Sequence, residues 1–502
     1  MTSAPETSGT SAPETPETSE TSGTPAAPAP PTASATARPE DPRLRLRHTT
    51  PTPYWLDRPE SPAPLPRLTG DTACDLAVIG GGYTGLWTAL LAKRRFPKLD
   101  VLLLEQKTCG HAASGRNGGF CSPSLTHGLA NGVARWPGEI GLLQRLGAAN
   151  FDAFARDLET HGIDCGFART GKVTVAATDW QARALADAAD LSRAHGEPAT
   201  LLDRDALRAY VDSPMWQAGL WSPDYALLDP ARLVWGLRRA CLEQGVRIAE
   251  HTEVEALDTR PRGPVRLRTP YAEVRAGKVA LATNIHRPLL RRLALTMVPV
   301  YDYALVTEPL TDAQLASVGW SGDHGITDAG NQFHYLRKTA DRRILWGGYD
   351  AIYHYGSRTD DELTQRAATF ETLARQFAEA FPPLAGVSFA HAWGGVIDST
   401  TRFCMFAGTA ARGRVSYALG FTGLGVGATR YGAEVMLDLL AGRRTEATSP
   451  AMIRRPPVPF PPEPVRWLGI QATRRSMAHE DETGTRNLWL RTLDRLGLGF
   501  DS

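Results

Sequence analysis

The stretch VIGGGYTG, residues 78–85, constrains the fold of this chain more than any other. It carries the pattern GxGxxG as Gly80, Gly82 and Gly85. Before it lies the apolar run DLAVI, and after it lies GLWTALLAKRRF, whose apolar residues have helical spacing. A second apolar run, DVLLLEQ, then follows. A strand, a helix and a strand in this order predict a parallel βαβ unit.

The three glycines have separate roles in such a unit. The first allows a tight turn, the second lets the backbone approach a pyrophosphate, and the third lets the helix pack on the strand. The phosphate charge then lies at the helix N-terminus, where unpaired amides favour an anion. Glu105 ends the second strand, 23 residues after Gly82, and can accept hydrogen bonds from ribose hydroxyls. These features predict a dinucleotide site; the alternative is a turn that only connects two elements.

The loop ASGRNGG, residues 113–119, favours FAD over NAD. The pyrophosphate, ribityl chain and ring of a flavin all pass close to backbone, and a loop with little side-chain bulk permits this. Ser114 and Asn117 can hydrogen-bond polar edges of the ligand. Arg116 either neutralises phosphate or pairs with a protein carboxylate. The residues that allow close approach are Gly115, Gly118 and Gly119.

Composition excludes several other classes of protein. With 55 basic and 54 acidic residues the net charge is +1, which gives no support for a nucleic-acid partner. Six scattered cysteines predict reduced thiols in a cytoplasmic protein, with no metal site. No apolar run reaches the ~18 residues of a membrane span, and no secretory signal is expected. The oligomeric state is left open.

The rest of the chain divides into recognisable segments. The first 41 residues contain no Phe, Tyr, Trp, Leu, Ile or Val, so we predict a disordered tail over residues 1–45. Alternating sequences between 296 and 350 predict antiparallel strands. A glycine-rich turn precedes a helix that ends at Gly442, and TRNLWLRTLDRLGLGF predicts a terminal amphipathic helix.

At this point the motifs resemble a known family. VIGGGYTGLWTAL, LLLEQ and ASGRNGG are similar to the D-amino-acid-oxidase-like FAD-dependent oxidoreductases, the glycine and sarcosine oxidase superfamily, and within it to the gamma-glutamylputrescine oxidase branch. Six further motifs follow in the family's order, so the resemblance covers about residues 50 to 445 and, more weakly, the C-terminal tail. They are GLWSPDYALLDPARLVWGL, VALATN, VTEPL, RILWGGYD, AWGGVIDSTTR and ALGFTGLGVGAT.

The resemblance implies a glutathione-reductase-type flavoprotein fold that combines α/β with α+β. Residues 46–125, 223–290 and 394–445 would form a discontinuous Rossmann-like FAD-binding domain. Residues 126–222 and 291–393 would form a substrate domain with an antiparallel sheet. Residues 446–502 would be a C-terminal extension with a terminal helix.

The resemblance also assigns cofactor contacts. Residues 114–119 would run along the ribityl chain and the flavin. Residues 423–426 would give amides to the pyrimidine edge of the flavin; the alternative is a plain turn from strand to helix. At the pyrophosphate, ribose, adenine and remaining boundary of the site we expect Gly80, Gly82, Tyr83, Thr84, Gly85, Glu105, Gln106, Val254, Thr283 and Asn284, and at the flavin edge Gly423, Leu424, Gly425 and Val426.

Two departures from the family pattern matter. Sarcosine-oxidase-like relatives attach FAD through a cysteine just after the Trp-Gly region, but WGGVIDSTTRF has none there, and Cys404 lies further along. RILWGGYD offers Leu345 or Trp346 where those relatives use a lysine to promote reaction with oxygen. We therefore expect non-covalent FAD, with Cys121 as a minor candidate for attachment and oxygen less secure as acceptor.

The implied reaction oxidises the C–N bond of a small amine or amino acid, including a gamma-glutamylputrescine-like amine. Hydride moves to the flavin, the imine hydrolyses to a carbonyl, and O2 becomes H2O2. Arg337 or Arg402 could bind a substrate carboxylate, and His334 could deprotonate an ammonium. For each aromatic residue the alternative is a role in the core. The predicted catalytic residues are His334, Tyr335, Tyr303, Trp393 and Arg337, with Tyr301 as a further wall residue.

Two rival functions stay open at this point. The first is a dehydrogenase of the same fold that uses a quinone or a carrier protein as acceptor. The second is a non-catalytic flavin-fold scaffold, against which the intact glycines of all three cofactor loops argue.

Overall fold

The structure is a computed structural model, and it describes residues 41–286 and 288–498. Most of the predicted tail therefore lies outside the described residues. Residues 42–45, the last part of the predicted tail, are helical. They form α1 (Pro42–Arg45), which packs on the body of the protein with Arg45 buried. No described helix is both long and apolar enough to cross a membrane.

The described residues contain strands that form two large sheets and one small pair. In chain order they are β1 (Thr72–Ile79), β2 (Val101–Leu104), β3 (Phe120–Cys121), β4 (Lys172–Ala176), β5 (Thr200–Leu202), β6 (Ala218–Ser222), β7 (Ala226–Leu227), β8 (Arg247–Ala249), β9 (Ala256–Asp258), β10 (Val265–Arg268), β11 (Glu273–Leu281), β12 (Val298–Thr307), β13 (Gly325–Asp328), β14 (His334–Lys338), β15 (Ile344–Gly348), β16 (Phe389–Ser399), β17 (Phe406–Ala410) and β18 (Val415–Leu419).

Helices cover the sheets and make up most of the chain after the last strand. After α1 they are α2 (Tyr83–Arg95), α3 (Leu129–Arg135), α4 (Ile140–Thr160), α5 (Asp179–Ala194), α6 (Arg204–Leu207), α7 (Pro230–Glu243), α8 (Asp312–Ala316), α9 (Ala367–Ala380), α10 (Gly425–Leu440), α11 (Ala451–Arg454), α12 (Val465–Thr483) and α13 (Leu488–Arg495). Asp229 caps α7 by accepting from the Arg232 amide, and Pro230 occupies its first turn.

The first sheet contains the predicted βαβ unit. Its order is β17-β18-β11-β1-β2-β8, with β10 beside β11 and β9 beside β10. Strands β18, β11, β1, β2 and β8 are parallel neighbours. Their carboxyl ends therefore meet at one edge of the sheet, where ligands bind in open α/β folds.

The second sheet is mostly antiparallel, in the order β16-β12-β15-β14-β13-β4-β6-β5. The long β12 pairs with β16 along almost its whole length, from Val298 opposite Ser399 to Thr307 opposite Phe389. One pair, β13 with β4, is parallel. The predicted antiparallel strands between 296 and 350 are thus present.

Each sheet has its own apolar core. One core packs α2, α7 and α10 against the first sheet, and the fully buried Trp87 lies within it. Another packs α9 against the second sheet around Phe377 and Trp346. The first sheet draws only on the segments predicted for the FAD-binding domain, and the second on those predicted for the substrate domain except for residues 394–399 of β16. The domain boundaries themselves stay a prediction.

Candidate active site

One cavity of about 1460 Å³ begins at the carboxyl edge of the parallel strands and continues to the antiparallel sheet. A pocket for a drug-sized ligand usually measures about 300–1,000 Å³, so this cavity has room for more than one small ligand. The loops that follow β1, β2, β8, β11 and β18 all line it. Seventeen of the twenty residues predicted to contact FAD are part of its lining.

The glycine turn after β1 has the geometry that its spacing predicts. Gly80 has a φ of +109°, in the region that favours glycine. A Cβ at Gly85 would lie 1.9 Å from the Gly80 carbonyl oxygen, so the third glycine allows the helix to pack on the strand and does not line the cavity. Gly82 precedes α2 and has no side chain to cap it. The first-turn amides of α2 therefore stay open to an anion, apart from the Tyr83 amide, which donates to Ser114 Oγ at 3.0 Å.

Glu105 follows β2 and holds the turn in place. Its carboxylate accepts hydrogen bonds from the amides of Gly81, at 2.6 Å, and Lys107, at 2.8 Å. Burial raises the pKa of this carboxyl. Two oxygens offer about four acceptor sites, so acceptor capacity remains for ribose hydroxyls. The Glu105 carbonyl accepts from the Thr252 amide at 2.8 Å, which holds the loop of Val254 beside it.

The loop at residues 113–119 is fixed by contacts of its own. Asn117 Nδ2 donates to the carbonyls of Ala113 and Ser114, and its Oδ1 accepts from the Gly119 amide at 2.8 Å. Asn117 therefore shapes the loop. Arg116 also bonds protein backbone, donating to the carbonyls of His111 at 2.8 Å and Gly394 at 3.0 Å; the Asp361 carboxylate is near enough to act on its charge, and a role at phosphate stays a prediction.

Two of the loop glycines pack against protein and lie outside the cavity lining. A Cβ at Gly115 would meet the Gly110 carbonyl oxygen at 2.4 Å, and one at Gly119, whose φ is +77°, would meet the Leu228 carbonyl oxygen at 2.1 Å. Gly118 does line the cavity, and its Cβ would lie 2.7 Å from the Tyr335 ring. Of the three, Gly118 is the one placed to keep space open for a ligand.

The loop before α10 is the third element of the predicted cofactor site. Thr422 and Gly423 have φ values of +49° and +86°, and the N-terminus of α10 begins in the lining of the cavity without a side-chain cap. A helix N-terminus favours negative charge. Asp398 on β16 supports this loop, because its Oδ2 accepts from the Gly420 amide at 2.6 Å, and burial raises its pKa to about 6.

The remaining predicted cofactor residues also lie at this edge. Gln106 follows Glu105, and Thr283 and Asn284 follow β11; all three line the cavity. The site thus combines two uncapped helix N-termini, glycine turns without side chains and a carboxylate with free acceptor capacity. Such a donor set fits the phosphates, ribose and electron-rich ring edge of FAD, which the family implies and which the residues present would hold.

Three predicted aromatic residues form a wall on the antiparallel sheet. Tyr303, Tyr335 and Trp393 line the cavity together with Tyr301. Trp393 Nε1 donates to the Arg116 carbonyl at 3.0 Å, which joins the wall to the 113–119 loop. The hydroxyls of Tyr301 and Tyr303 donate to the carbonyls of Asp360, at 3.2 Å, and Leu363, at 2.8 Å. The hydroxyls of Tyr301 and Tyr303 are thus held by protein, and the Tyr303 ring packs against Phe370 of α9 in the core of the second sheet.

Asp302 adds a half-buried carboxyl group to this wall. Its Oδ2 accepts from the Tyr335 hydroxyl at 2.8 Å, and its Oδ1 accepts from the Tyr303 amide at the same distance. Burial raises the pKa of Asp302 to about 6, so the group is mostly ionised at neutral pH. Burial, together with the neighbouring Asp302 carboxylate, also raises the pKa of the Tyr335 hydroxyl. This hydroxyl therefore stays protonated.

The histidine and the arginines predicted to act on substrate lie outside the lining. His334 is held between Asp328, at 2.6 Å from Nδ1, and Gln376, at 3.0 Å from Nε2. Arg337 donates to the carbonyls of Leu228 and Gly118 and so supports the 113–119 loop from behind. Arg402 donates to the backbone carbonyls of Met405, Met452 and Arg455. We therefore assign none of these three residues to the substrate.

Several residues that do line the cavity could not be found from the sequence. His127, with a φ of +59°, lies against the Thr422 backbone, and burial lowers its pKa to about 4. Lys172 begins β4, beside Ser222 on β6. Residues 458–498, which we call the C-terminal segment, add a further wall that includes Ile470, Met477 and Trp489. His127, Lys172, Ile470 and Met477 belong to none of the motifs above, so no local signal marks them.

Comparison with known proteins identifies the family. The family model described as DAO, FAD dependent oxidoreductase, matches residues 75–439. The chain belongs to this family. The prediction from the motifs is confirmed, and so is the mixed α/β flavoprotein fold.

Individual relatives cover most of the chain. It is 28% identical over 416 residues to gamma-glutamylputrescine oxidoreductase of Escherichia coli K12, an alignment that spans 81% of this chain and 92% of that protein. It is 23% identical over 363 residues to sarcosine oxidase subunit beta of Rhizobium meliloti, covering 68% and 77%. The solved structure of glycine oxidase from Geobacillus kaustophilus superposes with a TM-score of 0.63 at 20% identity and covers 74% of this chain and 96% of that one.

Proposed function

We propose that this protein is an FAD-dependent oxidase that acts on the C–N bond of a small amine or amino acid. FAD, when bound, supplies the hydride acceptor. The amine becomes an imine that hydrolyses to a carbonyl, and O2 is the electron acceptor. The name of the E. coli relative supports an amine with a γ-glutamyl group as one candidate substrate.

The observation that carries this proposal is that one cavity joins the predicted FAD loops to the aromatic wall. A substrate between them would be next to the cofactor and shielded from bulk water, which a reaction between neighbouring atoms requires. Tyr335 and Trp393 would orient the substrate by their rings, and Tyr303 would support this wall from the core behind it. Asp302 would favour a cationic substrate, since it is mostly ionised at neutral pH.

The cofactor contacts are proposed residue by residue. The amides after Gly82 would take the pyrophosphate, Glu105 the ribose and residues 423–426 the pyrimidine edge of the flavin. Non-covalent binding is supported by the cysteines, because all six are buried and none lines the cavity. This includes Cys121 and Cys404, whose pKa values burial raises.

An anaerobic substrate screen tests the proposal. The purified protein is mixed without oxygen with polyamines, γ-glutamyl amines, N-methyl amino acids and D-amino acids, and the visible flavin absorbance is followed. We expect bleaching by at least one of these classes. A yellow protein that none of them bleaches would reject an amine substrate, and a colourless protein that binds no added FAD would favour the scaffold alternative.

The choice of O2 as acceptor needs a separate measurement. The substrate-reduced protein is mixed with air-saturated buffer, and the return of flavin absorbance is timed. Rapid return with one H2O2 per substrate supports the oxidase. Slow return in air together with rapid return on addition of a quinone would instead establish the dehydrogenase.

A further inference from the structure

Lys172 is unusual among the cations of the cavity. Its side chain lines the cavity, and its Nζ lies 4.6 Å from the centroid of the Tyr225 ring. No hydrogen bond or ion pair of this Nζ is found within residues 41–286 and 288–498. The other lining cations all have oxygen partners within hydrogen-bonding distance. These are Lys107, Arg116, Arg145, Arg466, Arg474 and Arg486.

The contact with Tyr225 satisfies this ammonium only in part. A cation over an aromatic ring gains about 0.5–2 kcal/mol, but the ring accepts none of the three N–H bonds of the ammonium in the way that an oxygen does. Asp224 also lines the cavity, yet it is exposed and its carboxylate is not within 4.0 Å of Nζ. An ammonium in the cavity lining without an oxygen partner has N–H donors open to a ligand, and its charge favours an anionic one.

Neighbouring hydroxyls complete a site for such an anion. Ser222 lies directly opposite Lys172 in the pairing of β4 with β6, and its side chain also lines the cavity. Thr174 follows two residues along β4 on the same face, and its Oγ1 is 3.2 Å from Thr327 Oγ1. A carboxylate can accept several hydrogen bonds at once, so one ammonium and adjacent hydroxyls match its needs.

The position of Lys172 separates this site from the proposed FAD contacts. It belongs to the antiparallel sheet, whereas the turn after Gly82 and Glu105 belong to the parallel one. Lys172 nevertheless lines the same cavity as His127 and Thr422, and His127 lies against the Thr422 backbone. The ammonium is therefore on the substrate side of a cavity that also reaches the loop proposed for the flavin edge.

We propose that Lys172 binds a carboxylate group of the substrate, so that the substrate is an amine that also carries a carboxylate. Its role with substrate rests on the proposed function above. Arg337 and Arg402, which the sequence suggests for this task, bond backbone carbonyls instead. The charge that they were expected to supply comes from a residue on another strand.

Binding measurements test this site without turnover. Unbranched mono- and dicarboxylates from acetate to adipate, and the uncharged amides of the same acids, are titrated into the holoprotein while the visible flavin spectrum and the unfolding temperature are followed. The variants are Lys172→Met, Lys172→Arg and, as the matched control, Lys98→Met, since Lys98 is exposed and lies outside the lining.

We expect the wild-type protein to bind at least one acid more tightly than its amide. Lys172→Met should weaken that acid about 10- to 100-fold, the effect of losing a charge-assisted hydrogen bond, and leave the amide within about 2-fold. Lys172→Arg should retain most of the preference, and Lys98→Met all of it. Equal weakening of acid and amide in Lys172→Met, or no preference in the wild type, would overturn the proposal.

Two further outcomes separate this proposal from others. If carboxylates bind through Lys172 but no amine bleaches the flavin, the proposed amine oxidation fails and the anion site stands. If amines bleach the flavin and Lys172→Met slows only reoxidation in air, with carboxylate binding unchanged, Lys172 serves the reaction with oxygen and the carboxylate site is refuted.

Discussion

Asp481 fastens the C-terminal segment to the rim of the cavity, and its removal is the perturbation we develop first. Its Oδ1 accepts from the Asn331 amide at 2.7 Å and from Asn331 Nδ2 at 3.0 Å, and its Oδ2 accepts from the Gln332 amide at 2.9 Å. Asn331 lies in the loop between β13 and β14, and Asp481 lies on α12. Asp481→Ala removes all three acceptor contacts at once.

The expected magnitude follows from these three bonds. Each hydrogen bond contributes about 0.5–1.5 kcal/mol net, and more when the acceptor is charged, so we estimate that docking of α12 weakens by about 2–4 kcal/mol. At 1.36 kcal/mol per factor of ten, undocking becomes roughly 30- to 1,000-fold more frequent. Most of the stability of a helix in a protein comes from its packing, so the amides of a released α12 exchange with solvent.

Hydrogen exchange measured by mass spectrometry tests this estimate. Peptides from residues 465–483 of Asp481→Ala should exchange roughly 30- to 1,000-fold faster than those of the wild type, while peptides from β1 and α2 keep their rates. Glu482→Ala is the matched control, because Glu482 is an exposed neighbouring acid on the same helix. The reasoning is refuted if the two variants exchange alike over residues 465–483.

Three shorter predictions concern the cofactor side. Gly118→Val should give a folded but colourless protein, by far-UV circular dichroism and visible absorbance, because its Cβ would lie 2.7 Å from the Tyr335 ring; Gly138→Val, with no atom within 4 Å of its Cβ, should stay yellow. Burial holds the pKa of Asp398 at about 6, above its ordinary 3.8, so this group costs stability progressively as pH rises from about 4 to 6 and levels off above. Asp398→Asn removes that titration, and its unfolding temperature should rise relative to wild type over this range, by the equivalent of up to about 3 kcal/mol; parallel pH profiles would contradict this. Tyr335→Phe removes the hydroxyl that donates to Asp302, so the pKa of that carboxyl should rise by about 1–2 units, seen as an alkaline shift in the pH profile of flavin reduction.

The cofactor side could be predicted from sequence because each of its parts is local. The turn after β1 and the 113–119 loop are each one continuous stretch of sequence, in which a side chain at several glycine positions would collide with backbone. The topology of the parallel sheet brings the carboxyl ends of its strands together. Gly85 shows the physical reason, since a Cβ there would collide with the Gly80 carbonyl oxygen. A short pattern therefore fixes both the turn and the place of Glu105.

The substrate side could not be predicted because its residues are defined by partners far away in the chain. His334 looked suited to catalysis by residue type, yet Asp328 and Gln376 hold both of its ring nitrogens. Arg402 could bind a carboxylate on chemical grounds. Its guanidinium instead donates to backbone carbonyls, including those of Met452 and Arg455, about 50 residues along the chain. Whether a cation is available to a ligand depends on such partners, and no periodicity encodes them.

The C-terminal segment limits what family membership can say about the substrate. The family match ends at residue 439, while Ile470, Met477 and Trp489 line the same cavity from helices that follow it. The loops that would hold FAD lie inside the match, and so do Lys172 and Asp302. The wall that the C-terminal segment adds lies outside it, so what this wall contributes to the choice of substrate has to be established from its own residues.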